Sequence, residues 1–390
     1  MKNNKKFYPL SLSSWDKSEI SALKRVIRSN KFTMGREVKE YENLFSNFFK
    51  TKHAIMVNSG SSANLLMIAS LFYTKKKKYK LHRGDEIIVP AVSWSTTYSP
   101  LCQYGLKLKF VDVDLNTLNF NLNDLEKAIT KKTKAILAVN LLGNPNNFDF
   151  INKLCLKKKL ILLEDNCESM GAKYKKKYTG TFGLIGTFSS FFSHHISTME
   201  GGMLVTNDNE LNDIIRCLRA HGWTRNLDKK NTLIKKNKNI FDEQFRFILP
   251  GYNLRPLEFE GATGKVQIKK LNKFLKNRRL NAKTFLDVFK NNKNIIVQKE
   301  IGESSWFGFS IILRGEYKDK RIEILNKFEK MGFETRPIVS GNFEKKEVTK
   351  FFDYTIHNKL INSDYIDKNG FFIGNHHVDM RNKIKKLKVF

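Results

Sequence analysis

The chain has 390 residues, of which 41% are apolar and 12% aromatic, including 31 Phe, which is enough apolar material for two lobes with their own cores and excludes a mostly disordered protein. Lys and Arg number 70 against 38 Asp and Glu, a formal net charge of +32. The lysine runs at 75–78, 157–159 and 175–177 sit beside apolar segments, and no stretch interleaves basic with aromatic side chains as a nucleic-acid platform does, so the excess reads as a solvated surface that modestly attracts an anionic substrate, not as a nucleic-acid or membrane site.

The N-terminal stretch MKNNKKFYPLSLSSW is basic but has no continuous apolar core, so no secretory signal is expected. From residue 54 to residue 206 short apolar runs alternate with helix-like segments. The runs are 54–57, 86–90, 109–113, 135–140, 160–164, 186–190 and 202–206. Continuous β-branched runs bounded by Gly, Pro or Asp predict strands buried on both faces, and their alternation with helices predicts a mainly parallel sheet in an α/β large domain. After Pro250 the texture changes to an amphipathic helix over 257–275, a strand-like run over 306–313 and a helix over 321–331, which predicts a smaller α+β C-terminal domain. The expected division is an N-terminal segment and large domain over 1–250 and a small domain over 251–390. No stretch reaches the roughly 20 apolar residues of a membrane helix. Cys102, Cys155, Cys167 and Cys217 are widely spaced, with no CxxC pair, which argues against a zinc site or disulfide framework and fits a reducing, cytoplasmic setting.

Three segments can carry chemistry. In Val57-Asn58-Ser59-Gly60-Ser61-Ser62-Ala63-Asn64 a strand ends in Gly and small hydroxyl residues before a helix begins. Helix N-termini offer unpaired N–H groups and a positive dipole end suited to phosphate, although the same residues also make a plain cap and turn. The strand 160–164 ends at Glu164-Asp165, where open α/β sheets bind ligands; a carboxylate there can hold a pyridinium nitrogen protonated, or cap a helix. The third segment runs from Gly186 to Gly202 and carries His194-His195 in a polar loop without Cys or acidic neighbours at ligand spacing. Such a pair reads as acid/base groups more than as metal ligands, and no metal is expected.

Together these segments resemble the sugar aminotransferase family of fold-type I pyridoxal phosphate enzymes. The resemblance runs nearly end to end, through Thr33-Met34-Gly35, the 58–64 loop, Val89-Pro90-Ala91-Val92-Ser93-Trp94, Glu164-Asp165-Asn166-Cys167-Glu168, the Ser189 loop and Gly251-Tyr252-Asn253-Leu254-Arg255. It implies that Gly60, Ser61 and Ser189 hold the phosphate of a pyridoxal or pyridoxamine phosphate cofactor. Trp94 would stack on its ring, Asp165 pair with the ring nitrogen and Glu168 lie near the ring hydroxyl. Asn253 would reach into the partner's site of a homodimer.

One position departs from the pattern. The family's lysine follows the loop serine by five positions and precedes the paired glycines by seven; here that position is His194, and no Lys lies between Ser189 and Gly202. An imidazole cannot make the covalent bond to the cofactor that a lysine amine makes. The same exchange marks the 3-dehydratases that resemble this family, which act on nucleotide-linked 4-keto-6-deoxyhexoses in deoxysugar and O-antigen biosynthesis. His221-Gly222-Trp223-Thr224-Arg225, Ser305-Trp306-Phe307-Gly308-Phe309, Glu334-Thr335-Arg336-Pro337-Ile338 and Gly374-Asn375-His376-His377 resemble the GDP-linked type most. By this resemblance His194 is the acid/base residue that removes the C3 hydroxyl. Glutamate regenerates the amine cofactor, and Arg336 is the candidate for its carboxylate, with a structural ion pair as the alternative role. Met34, Gly35, His195, His221 and Arg225 are further candidate substrate contacts. An aminotransferase with a displaced lysine and a non-catalytic nucleotide-sugar-binding relative are the competing readings.

Overall fold

The computed structural model describes residues 7–390; residues 1–6, the start of the stretch read for a secretory signal, lie outside the described residues. The seven expected strands form within two residues of their expected bounds: β1 (His53–Val57), β2 (Glu86–Pro90), β3 (Lys107–Val111), β4 (Thr133–Val139), β5 (Ile161–Asp165), β8 (Ile185–Ser189) and β9 (Gly202–Thr206). The short pair β6 (Lys173–Tyr174) and β7 (Lys177–Tyr178) makes a separate ladder. The large sheet runs β1-β9-β8-β5-β4-β2-β3 and is completed at the β3 edge by β13 (Tyr354–Ile356). Only the β1/β9 and β8/β9 pairings are antiparallel, so β1 points the same way as β8, and the C-terminal ends of β1, β2, β4, β5 and β8 face one side. Helices cover the sheet; α1 (Lys17–Ser29) and α2 (Arg36–Phe49) precede it, α3 (Gly60–Tyr73) follows β1 and α4 (Ser95–Gln103) follows β2. Every residue of β2, β5, β8 and β9 is buried, which is why these runs read as continuous rather than alternating.

The later chain builds a second, antiparallel sheet in the order β10 (Ile295–Val297), β11 (Gly308–Leu313), β14 (Gly370–Gly374) and β12 (Thr335–Arg336). Phe285, Phe309, Phe328 and Phe333 fill the core between this sheet and its helices. The helix expected over 257–275 runs instead from Glu258 to Phe289, 32 residues. Its second half was hidden by the polar run Lys276-Asn277-Arg278-Arg279, yet Arg278 and Asn281 sit on the buried stripe with Ala282, Phe285 and Phe289, so two buried polar residues interrupt the apolar period that marks a helix.

Two tight loops meet where the second sheet packs on the first. Leu142 (φ 51°) and Gly143 (φ 97°) follow β4, and Trp306 (φ 48°) precedes β11. The Ser305 N–H donates to the Gly143 carbonyl at 2.9 Å and the Phe307 N–H to the Leu142 carbonyl at 3.0 Å. A Cβ on Gly143 would lie 2.4 Å from the Trp306 nitrogen, so this approach requires glycine.

Candidate active site

The phosphate cradle begins at Ser59, whose hydroxyl caps α3 by accepting from the Ser62 N–H at 3.1 Å. The first N–H groups of α3 point toward the strand ends with the positive end of the helix dipole behind them. A Cβ on Gly60 would come within 2.7 Å of the Ser189 Cβ and 3.1 Å of the Cys167 sulfur. Glycine therefore lets the start of α3 close onto the end of β8, where Ser189 accepts from the Phe191 N–H at 3.3 Å. The Ser61 hydroxyl donates to Thr96 Oγ1 at 2.9 Å. Backbone amides and hydroxyls of Ser59, Gly60, Ser61, Thr96 and Ser189 thus line one part of the same cavity, and such groups suit an anion.

Asp165 ends β5 on the cavity floor. Its Oδ2 accepts from Asn64 Nδ2 at 2.9 Å and Thr97 Oγ1 at 2.7 Å, and its Oδ1 accepts from the Cys167 N–H at 3.2 Å; three donors fix the carboxylate's direction. Trp94, 58% exposed, stands on the cavity wall, a large apolar ring left in the open where a flat ligand can cover it. Glu168 accepts from the Leu142 N–H at 3.1 Å. Burial pushes its carboxyl up to about 7 against the pull of that N–H, and the neighbouring Asp165 charge adds to the rise.

His194 lines the same cavity. Its ring meets Phe307 edge-on at 5.0 Å and Phe191 at 5.9 Å, and its Nδ1 has no hydrogen-bond partner. Burial, assisted by the Arg278 cation, lowers this imidazole to about 3, so it stands neutral and able to accept a proton. His195 points elsewhere: it is 1% exposed, its Nε2 lies 3.2 Å from the Ser305 carbonyl, and it does not border the cavity.

The cavity has a volume of about 630 Å³. It brings together Gly60, Ser61, Trp94, Asp165, Glu168, Ser189, His194 and Arg336. Arg336 donates to Glu334 Oε1 at 2.7 Å and to the Thr335 carbonyl at 2.9 Å, so part of its fork is already engaged. Met34 packs against the apolar cluster beneath α2, and Gly35 sits at the start of α2, where its N–H donates to Glu258 Oε1 at 2.8 Å; neither borders the cavity. His221 packs against Trp223 with ring centroids 4.8 Å apart and the planes tilted by 59°, Arg225 is exposed, and Asn253 is exposed with its side-chain Oδ1 accepting from Arg255 Nε at 3.0 Å. These three also lie away from it. Asn64, Thr97 and Phe307 had no role assigned from sequence. A buried-helix amide just before the apolar run 65–69 of α3 was the available signal for Asn64, whereas nothing local marks Thr97 or Phe307.

The residues fit a pyridoxal-type cofactor: the cradle that a Cβ on Gly60 would fill suits a phosphate, the open Trp94 ring suits an aromatic plane, and Asp165 is fixed where a ring nitrogen needs an anion. Sheet and cavity define the class as an α/β fold of the fold-type I aminotransferase kind. Residues 13–384 match the model of the DegT/DnrJ/EryC1/StrS aminotransferase family, and the chain belongs to that family. It is 57% identical over 382 residues, 97% of each chain, to a GDP-4-keto-6-deoxy-D-mannose 3-dehydratase of Yersinia pseudotuberculosis. Its structure superposes with a TM-score of 0.96, at 56% identity, on GDP-4-keto-6-deoxymannose-3-dehydratase with a trapped PLP–glutamate geminal diamine, covering 98% of this chain and 99% of that one. The same values hold for a histidine-to-asparagine mutant of that dehydratase with bound GDP-perosamine. Among the described residues no helix is long and apolar enough to cross a membrane.

Proposed function

We propose that this chain is a pyridoxamine/pyridoxal phosphate-dependent 3-dehydratase that removes the C3 hydroxyl of a GDP-linked 4-keto-6-deoxyhexose, with glutamate as the amino donor, in cytoplasmic deoxysugar and O-antigen biosynthesis. The observation that carries the reading is an imidazole at the lysine position of an otherwise complete cofactor cavity, and the printed activity of relatives more than 55% identical supports it. The net reaction balances as keto sugar plus glutamate giving 3-deoxy keto sugar, 2-oxoglutarate and ammonia.

When bound, the cofactor supplies an electron sink next to the sugar's C4. Gly60, Ser61 and Ser189 would hold its phosphate, Trp94 would cover its ring, Asp165 would keep the ring nitrogen protonated and Glu168 would lie near the ring hydroxyl. His194 accepts a proton and then donates it to the oxygen leaving C3; one imidazole serves both steps because they are successive. Arg336 receives the donor's carboxylate with the part of its fork that Glu334 leaves free. In this reading residues 1–250 carry the cofactor groups except Asn253, and 251–390 supply Asn253, Phe307 and Arg336.

Incubating the protein with aldehyde cofactor, glutamate and a panel of GDP-, CDP- and dTDP-linked 4-keto-6-deoxyhexoses tests the proposal. Mass spectrometry is expected to find a product lacking the C3 oxygen, with ammonia released, from the GDP-linked substrate. A 4-amino product would establish an aminotransferase instead.

Asn253, exposed on the single chain, completes the cofactor cradle of a second copy in this reading. Mixing Asn253→Ala protein with Asp165→Ala protein is expected to restore part of the activity that each lacks, because a heterodimer holds one site with both residues intact. No recovery after subunit exchange, or full activity from a monomer, contradicts the homodimeric site.

A further inference from the structure

Arg278 is 3% exposed, and the hydrogen bonds its guanidinium makes among the described residues go to carbonyls and not to a carboxylate. Its Nη1 instead donates to three backbone carbonyls, those of Trp306 at 3.4 Å, Phe307 at 3.1 Å and Asn375 at 2.9 Å. A buried guanidinium without an anion is costly unless other acceptors compensate it, and here the compensation comes from these three carbonyls. Two of the three carbonyls belong to the strained turn that carries Phe307 onto His194. Trp306 sits at φ 48°, a conformation that persists for a bulky residue only where its surroundings hold it. The groups that hold its carbonyl are Arg278 and the Asn375 amide, which donates to it at 2.9 Å. The turn also meets His195 through the Ser305 carbonyl.

We infer that Arg278 is a positioning residue for the proposed dehydration: it clamps the 305–307 turn from behind, so that Phe307 fixes the His194 ring edge-on while no carboxylate approaches His194 Nδ1. The inference rests on His194 being the acid/base group. In Ser-His-Asp sites a carboxylate on the far nitrogen stabilises the protonated imidazole; here the charge of Arg278 adds to burial in favouring the neutral form. The charged and titratable groups around His194 agree with this. Arg278 and Arg279 come from the long helix, His195 from the same loop, and His376, His377 and Tyr8 lie around Arg278; Asp165, Glu168, Glu200 and Arg336 face the cavity. Burial and Arg278 hold His376 down to about 3 and His377 to about 4.

The test compares Arg278→Gln, Arg278→Lys and Phe307→Leu in the full-length protein, by kcat and KM for the sugar and by histidine NMR across a pH series. Arg278→Gln is expected to raise the His194 titration midpoint by about one pH unit or more and to lower kcat about tenfold or more, with KM changed far less. Arg278→Lys, which keeps the cation, is expected to titrate like the parent and recover most of kcat. Phe307→Leu is expected to lower kcat without moving the midpoint. An Arg278→Gln protein that folds with parental kcat and parental His194 titration overturns the inference. So does a drop in thermal stability with kcat unchanged, which would make Arg278 structural only. If Arg278→Gln does not fold, Phe307→Leu decides, and parental kcat there overturns the clamp.

Discussion

Replacing His194 with asparagine is expected to reduce C3 dehydration by about 10²–10⁴-fold in kcat, the range usual for loss of a general acid–base group. Asparagine keeps a polar side chain of similar reach but shuttles no proton. The phosphate cradle and Asp165 are untouched, with the Asp165 carboxylate held by Asn64, Thr97 and the Cys167 N–H, so cofactor content, measured by absorbance after release, should stay near the parental value. His195→Asn is the control. Its imidazole faces the Ser305 carbonyl and not the cavity, so it should retain far more activity. Retained dehydration in His194→Asn with an inactive His195→Asn protein would move the acid/base role to the neighbouring ring.

The second large effect is on stability. Gly143→Ala puts a methyl group 2.4 Å from the Trp306 nitrogen and 2.8 Å from the Phe307 nitrogen. These are backbone atoms tied by hydrogen bonds, so they cannot step aside as a flexible side chain would. The residue also keeps φ 97°, a region costing an L-residue about 1–2 kcal/mol. With about 1–3 kcal/mol for overpacking, the expected loss is about 2–5 kcal/mol, read from the denaturant midpoint. Gly84→Ala separates the two contributions, because Gly84 has φ 84° but nothing within 4 Å of its added Cβ; it should lose only the conformational part. Equal losses in the two variants would show that the 141–143 and 304–307 loops do not pack as tightly as described. Since the same contact sets Phe307 against His194 and the Leu142 N–H on Glu168, Gly143→Ala should also depress kcat.

The strands of the large sheet were legible because each is buried on both faces, which writes an uninterrupted apolar run into the sequence. The end of the long helix was not, because Arg278 and Asn281 put polar residues on its buried stripe, and periodicity cannot tell a polar residue bonded to a distant carbonyl from one facing water. In the site, residues within one loop or at a strand end, such as Gly60, Asp165, Ser189 and His194, could be read from motif and spacing. Those that act across the sequence could not: Thr97 reaches Asp165 over 68 positions, and Phe307 comes from the turn before β11. The order of the two histidines followed from counting to Ser189 and to the paired glycines. Why only His194 faces the cavity depends on the 305–307 turn, which lies more than a hundred residues further on.

The addition of β13 to the edge of the large sheet bears on how the chain is made. Tyr354, Thr355 and Ile356 pair with Leu108, Lys109 and Phe110, so β3 acquires its outer neighbour only when the last part of the chain has left the ribosome. Until then the nascent sheet ends in a strand whose hydrogen-bonding edge is open, the kind of edge through which unfinished chains associate. A chain stopped just before residue 354 would keep the cofactor-cradle residues but lose β14 along with β13, so it would bare the edge of β3 and leave β11 and β12 without their shared partner, and sedimentation of such a truncated product with the insoluble fraction would be the visible result.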